Sequence, residues 1–195
     1  MSRQPVFEYH AKSIKIPLEL LNGQNQIIQI ESGYAFGTGN HFTTKLCLEM
    51  IQTLYIERSF KNVFDVGCGS GILAICAIAL GSSSAIAIDI EPSVIVEAKK
   101  NVEKNGFYSQ IQIFNTEIDN IKDTYDLVIA NILTDEILFI KQQLISRLNN
   151  NAYLILSGIR SKEKQIIIDE FSELGPHFKK ILTEHDWCSL LFCRK

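Results

Sequence analysis

Val63-Phe64-Asp65-Val66-Gly67-Cys68-Gly69-Ser70-Gly71-Ile72-Leu73-Ala74-Ile75 is the stretch on which the reading of the fold turns. It opens apolar and β-branched, as a short buried strand does. It then passes through three glycines spaced two apart and continues as an apolar helix to about Leu80, with Gly81 suited to cap its C-terminus. Strand, glycine turn and helix together present backbone N–H groups and a helix N-terminus to a ligand. Glycine suits the turn because a Cβ there blocks close approach and because such turns often need φ > 0.

Downstream the same alternation repeats. Ala85–Asp89 reads as a second buried strand ending in an acid, and Pro92 stands where the first turn of a helix tolerates it. That helix runs to about Asn105, where Asn105-Gly106 ends it. Gln110–Phe114 and Asp126–Ala130 are the third and fourth strands, the fourth closing on Asn131. A helix is predicted over roughly Glu136–Leu148, a fifth strand over Ala152–Leu156 ending at Ser157-Gly158, and a helix over about Lys162–Leu174. Phe178–Thr183 and Trp187–Cys193 read as two closing strands, antiparallel to each other across Glu184-His185-Asp186.

Upstream, Gly33–Thr44 is a glycine-rich loop, and Thr43 or Thr44 is suited to cap a helix over about Lys45–Ile56. Ahead of the loop, Lys12–Ile16 and Gln26–Ile30 alternate polar and apolar residues, with Asn22-Gly23 between them as a hairpin-type turn signal. The expected organisation is a short β appendage over residues 1–33 and one α/β domain over residues 34–195.

The totals agree with a single soluble domain. A chain of 195 residues with 46% hydrophobic and 21% charged residues has enough apolar side chains for one substantial core. The net charge of −3 argues against a broad nucleic-acid footprint. No apolar run reaches membrane-spanning length, and Met1–Glu8 lacks the apolar core of a signal peptide. The five cysteines are scattered and never form a C-x-x-C pair, which reads as reduced thiols in a cytoplasmic protein and not as a metal site.

Near-continuously apolar strands alternating with helices mean a parallel sheet covered on both faces. In such a sheet the ligand lies beyond the carboxyl ends of the strands, at the switch point beside strand one. Those ends carry Gly67, Asp89, Asn115-Thr116, Asn131 and Ser157-Gly158. Two cofactor classes fit a glycine turn followed by an acid. A dinucleotide site uses G-x-G-x-x-G; this chain instead reads Asp65-x-Gly67-x-Gly69-x-Gly71. S-adenosylmethionine carries an ammonium group that suits Asp65, directly or through water, and a ribose diol that suits Asp89. Ile90 is placed to cover one face of its adenine. The acid at the turn and the antiparallel end of the sheet favour this methyl donor over the dinucleotide.

With these residues the chain resembles the class I S-adenosylmethionine-dependent methyltransferases. Within them it resembles the bacterial methyltransferases of the large-subunit stalk-base ribosomal protein, which modify lysine and N-terminal amines. The matching residues are Ala35-Phe36-Gly37-Thr38-Gly39-x-His41-x-Thr43-Thr44, Asp65–Ile75, Ile88-Asp89-Ile90-x-Pro92, Ala130-Asn131-Ile132-Leu133, Leu156-Ser157-Gly158-Ile159 and Trp187-Cys188. The glycine turn is shared by many methyltransferases; the Phe-Gly-Thr-Gly loop and Asn131-Ile132-Leu133 are more specific. The resemblance covers roughly residue 27 to the end and implies a Rossmann-like, mostly parallel seven-stranded sheet with helices on both faces and an antiparallel C-terminal hairpin.

It also implies donor binding by Thr44, Gly67, Asp89 and Asn131, with Gly69, Ile90 and Thr116 on the same rim. Asn131 lies nearest the transferred methyl. His41 would contact substrate, act as a base, or serve a structural or gating role, and Gly37–His41 would close over the donor. Asp65 and Asn131 also have simpler readings, as local caps of their turns. Two departures stand out. Asn40 and Phe42 replace the small hydroxyl and proline usual beside the histidine, and only a short piece precedes the catalytic region where the family carries a substrate-recognition domain. A ribosomal protein substrate therefore does not follow from the resemblance. Asn131-Ile132-Leu133 lacks the Pro-Pro-Tyr/Phe of methyltransferases acting on amide or base nitrogens, which favours an aliphatic amine of a protein or a small molecule. A nicotinamide-dependent oxidoreductase and a non-catalytic donor-binding protein are the competing readings. Trp187 reads as a packing residue of the last hairpin. Lys99, Lys100, Lys104, Lys162, Lys164, Lys179 and Lys180 read as solvated surface.

Overall fold

The computed structural model describes residues 8–10, 13–19, 25–31, 39 and 41–195. A three-stranded antiparallel sheet comes first: β1 (Glu8–His10), β2 (Ser13–Glu19) and β3 (Asn25–Glu31). The Asn22-Gly23 turn and most of the Gly33–Thr44 loop, including the proposed lid over Gly37–His41 except Gly39 and His41, lie outside the described residues.

The main sheet follows from the alternation read above. Its strands are β4 (Asn62–Val66), β5 (Ser84–Asp89), β6 (Ile111–Asn115), β7 (Tyr125–Asn131), β8 (Leu148–Arg160), β9 (His177–Glu184) and β10 (Trp187–Cys193). Their order is β6-β5-β4-β7-β8-β10-β9. Neighbours pair in parallel from β6 to β8, and β10 runs antiparallel to both β8 and β9. The helices are α1 (Phe42–Glu57), α2 (Ile72–Ala79), α3 (Pro92–Lys104), α4 (Thr134–Phe139), α5 (Lys141–Ser146) and α6 (Lys164–Glu173).

The two faces explain why the strands carry few polar residues. Along β7, Leu127 and Ile129 join the core under α1, α2 and α3, while Val128 and Ala130 join the core under α4, α5 and α6. Each buried aliphatic side chain contributes about 1.5–3 kcal/mol, so a period-two strand with both faces apolar is stable only between two helical layers. All eight residues of α2 are buried, which accounts for its lack of a polar stripe.

Four local expectations change. The first cap of α1 is His41, whose side chain accepts from the Thr43 N–H, and not Thr43 or Thr44. The helix expected over 136–148 is two helices, stepped at Ile140 (φ −101°, ψ 16°). No glycine or proline marks that step; buried Ile137 and Leu144 anchor one helix each. The fifth strand does not end at Ser157-Gly158 but continues to Arg160, because β10 pairs alongside it through Ile159 and Arg160. Lys104 is also not merely solvated, since its ammonium lies 2.9 Å from Glu31.

Two asparagines one turn apart on α3 join the small sheet to the large one. The Asn105 amide accepts from the Gln29 N–H at 2.9 Å and donates to the Gln29 carbonyl at 2.8 Å, as a neighbouring strand would. Asn101, fully buried, accepts from the Glu31 N–H at 2.9 Å and donates to the Ser70 carbonyl at 3.0 Å. It thus ties β3 to the glycine turn. Ile16, Ile28 and Ile30 are buried in the same core as α1, α2 and α3. Asn101→Ala is expected to lower the unfolding free energy by about 2 kcal/mol, since it strands a buried carbonyl. Asn105→Ala, at a wetter position, should cost less; urea denaturation of both variants checks the ranking.

Candidate active site

The glycine turn hangs on β5. The N–H groups of Gly67 and Cys68 both donate to the Ile88 carbonyl at 2.9 Å. One residue on, Asp89 shapes the turn with both oxygens: Oδ2 accepts from the Gly69 N–H and Oδ1 from the Glu91 N–H, each at 3.0 Å. Gly67 has φ +69°, and a Cβ there would sit 2.4 Å from Ile132 Cγ2. Glycine at 67 is therefore required by the packing of Ile132 as well as by the turn.

Asp65 lies beneath this turn, fully buried, and does not line the cavity. Its Oδ2 accepts from the Ala74 N–H at 3.1 Å, in the first turn of α2, while Oδ1 has no partner among the described residues. Burial pushes its carboxyl up to about 7, against the Ala74 hydrogen bond and with help from the Asp89 charge.

Across the switch point, α1 is fastened to the ends of β7 and β8. Ser157 Oγ donates to the Thr43 carbonyl at 3.1 Å, and Asn131 Nδ2 donates to Thr44 Oγ1 at 3.4 Å. Thr44 is fully buried behind Asn131 and, like Asp65, is absent from the cavity wall. Asn131 is 7% exposed, and its Oδ1 has no hydrogen-bond partner among the described residues. His41 Nδ1 faces the Thr43 N–H at 3.4 Å and Thr43 Oγ1 at 2.8 Å. A backbone N–H only donates, so Nδ1 accepts and the neutral ring carries its proton on Nε2. Burial first, and the Arg160 charge second, hold this imidazole below the usual histidine range. Trp187 stands edge-on to His41 at 5.0 Å, with the Arg160 guanidinium 3.9 Å over its ring.

These groups surround a cavity of about 870 Å³ at the carboxyl ends of β4, β5 and β7. Such a volume suits a nucleoside-sized ligand with room for part of a second. His41, Gly67, Gly69, Asp89, Ile90, Thr116 and Asn131 all line it. Trp187 lines it too, in addition to packing against His41 and Arg160. Only the pairing of Trp187 with Arg160 across β10 and β8 brings the indole to the rim, and no local sequence signal announces that. Leu133 and Phe139, 60% and 85% exposed, form an apolar lip that the sequence reading also missed. Exposed apolar residues just after a strand-end asparagine were the available sign.

The strand order, the antiparallel β10 and a glycine turn opening on a switch-point cavity together define the class I methyltransferase fold. The chain belongs to the ribosomal protein L11 methyltransferase family: the profile of that family, "Ribosomal protein L11 methyltransferase (PrmA)", matches residues 12–195. A ribosomal protein L11 methyltransferase of Geotalea daltonii is 36% identical over 170 residues, covering 83% of this chain and 54% of the relative. One from Pelobacter propionicus is 32% identical over 171 residues, covering 86% and 55%. The chain thus spans about half the length of the curated relatives it matches. The crystal structure of a ribosomal protein L11 methylase from Lactobacillus delbrueckii subsp. bulgaricus superposes with a TM-score of 0.78 at 34% identity, covering 85% of this chain and 84% of the other. The N-methyltransferase NodS of Bradyrhizobium japonicum shares the fold at 14% identity and TM-score 0.65. The family assignment leaves the nicotinamide reading without support.

The raised Asp65 carboxyl gives a pH signature. Its folded pKa lies above the unfolded carboxylate value of about 3.9. The stability it contributes is therefore fully present below pH 4 and lost as pH rises through about 7. Asp65→Asn removes this dependence. Urea unfolding of the ligand-free protein should show wild type losing ground to the variant between pH 5 and pH 8; parallel curves would mean that Asp65 ionises normally.

Proposed function

We propose that this chain is the donor-binding and catalytic part of a methyltransferase that moves the methyl group of S-adenosylmethionine to an amine of a protein. The acceptor is a lysine side chain or an N-terminus, and a ribosomal protein, as in the relatives' names, is the leading candidate. The catalytic unit spans residues 34–195, with the β1–β3 sheet as its N-terminal appendage. The reading also makes this a cytoplasmic activity, in keeping with five buried, unpaired cysteines. The observation that carries the proposal is Asn131 at the end of β7, which lines the same cavity as Asp89 and keeps a buried side-chain oxygen with no hydrogen-bond partner among the described residues.

The residues present fit the donor. Each Asp89 oxygen already accepts one backbone N–H and retains a lone pair for a ribose hydroxyl. Ile90, 73% exposed, is free to cover adenine, and Thr116 closes that side. Gly67 and Gly69 keep the floor bare. Asp65, fully buried beneath the turn, supports that floor by accepting the Ala74 N–H at the start of α2. When bound, the sulfonium supplies an electrophilic methyl group. Thr44 accepts one Asn131 amide proton and so fixes the orientation of this side-chain amide. Oδ1 then accepts an N–H of the incoming amine and orients its lone pair, a positioning effect that needs no covalent help from the protein. Free lysine has a pKa of about 10.4; on the part of the wall next to Asn131, the apolar Val66, Ile132 and Leu133 favour the uncharged nucleophile.

Incubating the protein with tritiated donor and lysate from cells lacking it should label a protein band. Label confined to RNA or small molecules would overturn the acceptor class, and donor binding without label would mark a non-catalytic member. By calorimetry, Asp89→Ala should weaken donor binding about a hundredfold or more, the loss of two hydrogen bonds to a charged group; unchanged affinity removes the ribose assignment. Asn131→Ala should lower kcat about a hundredfold while donor affinity falls far less. An equal loss in both would tie Asn131 to the donor alone.

A further inference from the structure

The cavity wall is charged in one sense. Asp89, Glu91, Glu117 and Asp119 line its β5–β6 side, and Asp135 and Glu136 line it on α4, yet no lysine or arginine among the described residues does. Glu136 is occupied, since its Oε2 accepts the Leu133 N–H at 3.0 Å. Thr134 Oγ1 donates to Glu163 Oε2 at 2.6 Å, so the start of α4 is held from both sides. Asp135, between these anchors, is exposed and has no hydrogen-bond or ion-pair partner among the described residues. A cationic donor does not account for it, because α4 follows β7, across β4 from the strands that carry Asp89 and Thr116.

Beside Asp135 lie Leu133 and Phe139, both open to solvent. Asn131, whose buried Oδ1 has no partner among the described residues, lines the same cavity. An acid, an apolar lip and a buried acceptor in sequence match side chains with apolar stems and cationic heads. The same charge disfavours a phosphate backbone at this mouth. We propose that Asp135, with Leu133 and Phe139, forms a docking lip for a basic polypeptide segment. One amine enters toward Asn131, while a second lysine or arginine of the same segment is held at Asp135 with its stem on the apolar pair. This rests on the protein-amine reading and adds to it a rule for choosing among amines. A cleft lined by one sign of charge raises the local concentration of cations. Exposed charges are screened beyond about 8 Å at physiological salt, so the preference weakens as salt rises.

The test uses two synthetic peptides of equal length, each with one lysine, flanked in one by arginines and in the other by glycine and serine. Binding is read by fluorescence anisotropy in the presence of S-adenosylhomocysteine, and transfer by tritiated donor, at about 50 and 500 mM salt, for wild type and Asp135→Asn. The arginine-flanked peptide is expected to bind wild type about five- to tenfold more tightly at low salt, as rim charges do. That advantage should appear in KM and not in kcat, and should shrink in high salt and in Asp135→Asn. Leu133→Ser should weaken both peptides. Equal affinity for the two peptides, no binding of either, or a preference that Asp135→Asn and salt leave intact would overturn the docking lip. Transfer to both peptides at equal KM would do so while the methyltransferase reading stands. A charge preference lost in Asp135→Asn without any transfer would uphold the lip and count against that reading.

Discussion

Ile132 crosses between two glycines, and the geometry of the site depends on that crossing. A Cβ on Gly158 would lie 2.1 Å from the Ile132 carbonyl oxygen, and one on Gly67 would lie 2.4 Å from the Ile132 side chain. The segment leaving β7 therefore passes closer to β4 and β8 than any side chain on those glycines would allow. This crossing brings Asn131, at the end of β7, over the glycine turn. Thr44 and Ser157 complete the arrangement from α1 and β8. Gly158 sits inside a strand with φ +82°, a conformation with no purpose in a sheet other than to clear the neighbouring chain.

Around this crossing the polar groups are held in place by burial and backbone bonds. Asp89 serves the turn and β5 together, so the group proposed to take the ribose also sets the shape of the floor. Asn101 reaches the same turn from α3 and passes its other amide atom to β3. The small N-terminal sheet is thus mechanically continuous with the donor site. Asp65 and Asn131 each keep one buried oxygen without a partner among the described residues. Leaving a buried acceptor unpaired costs about 1–3 kcal/mol, and of the two only Asn131 stands on the cavity wall, where an incoming N–H group is able to offset that cost.

The strands, the turn and the rim were legible because they rest on short-range rules. Period-two burial, Pro92 at the first position of α3 and Gly106 after it require no knowledge of distant residues. Thr44 and Asp65 are both fully buried, Thr44 bonding Asn131 and Asp65 capping α2, the simpler of the two readings its motif offers. A sequence motif marks residues that belong to a site without saying which of them face the ligand. His41 in place of a threonine as the cap of α1, and the step at Ile140, were illegible for a related reason. Both are settled by which side chains the core and the neighbouring strands admit.

By itself the sequence determined the α/β alternation, the parallel sheet, the glycine turn and the placement of Gly67, Asp89, Thr116 and Asn131 on one rim. Those follow from hydrophobic period and from strand direction, which any chain of this pattern must obey. Only the tertiary structure decided that Trp187 joins the cavity, that β8 runs on to Arg160, and that Leu133, Asp135 and Phe139 form its outer lip. Each of these depends on residues far apart in the chain meeting at a particular register, and register is set by packing across the whole sheet.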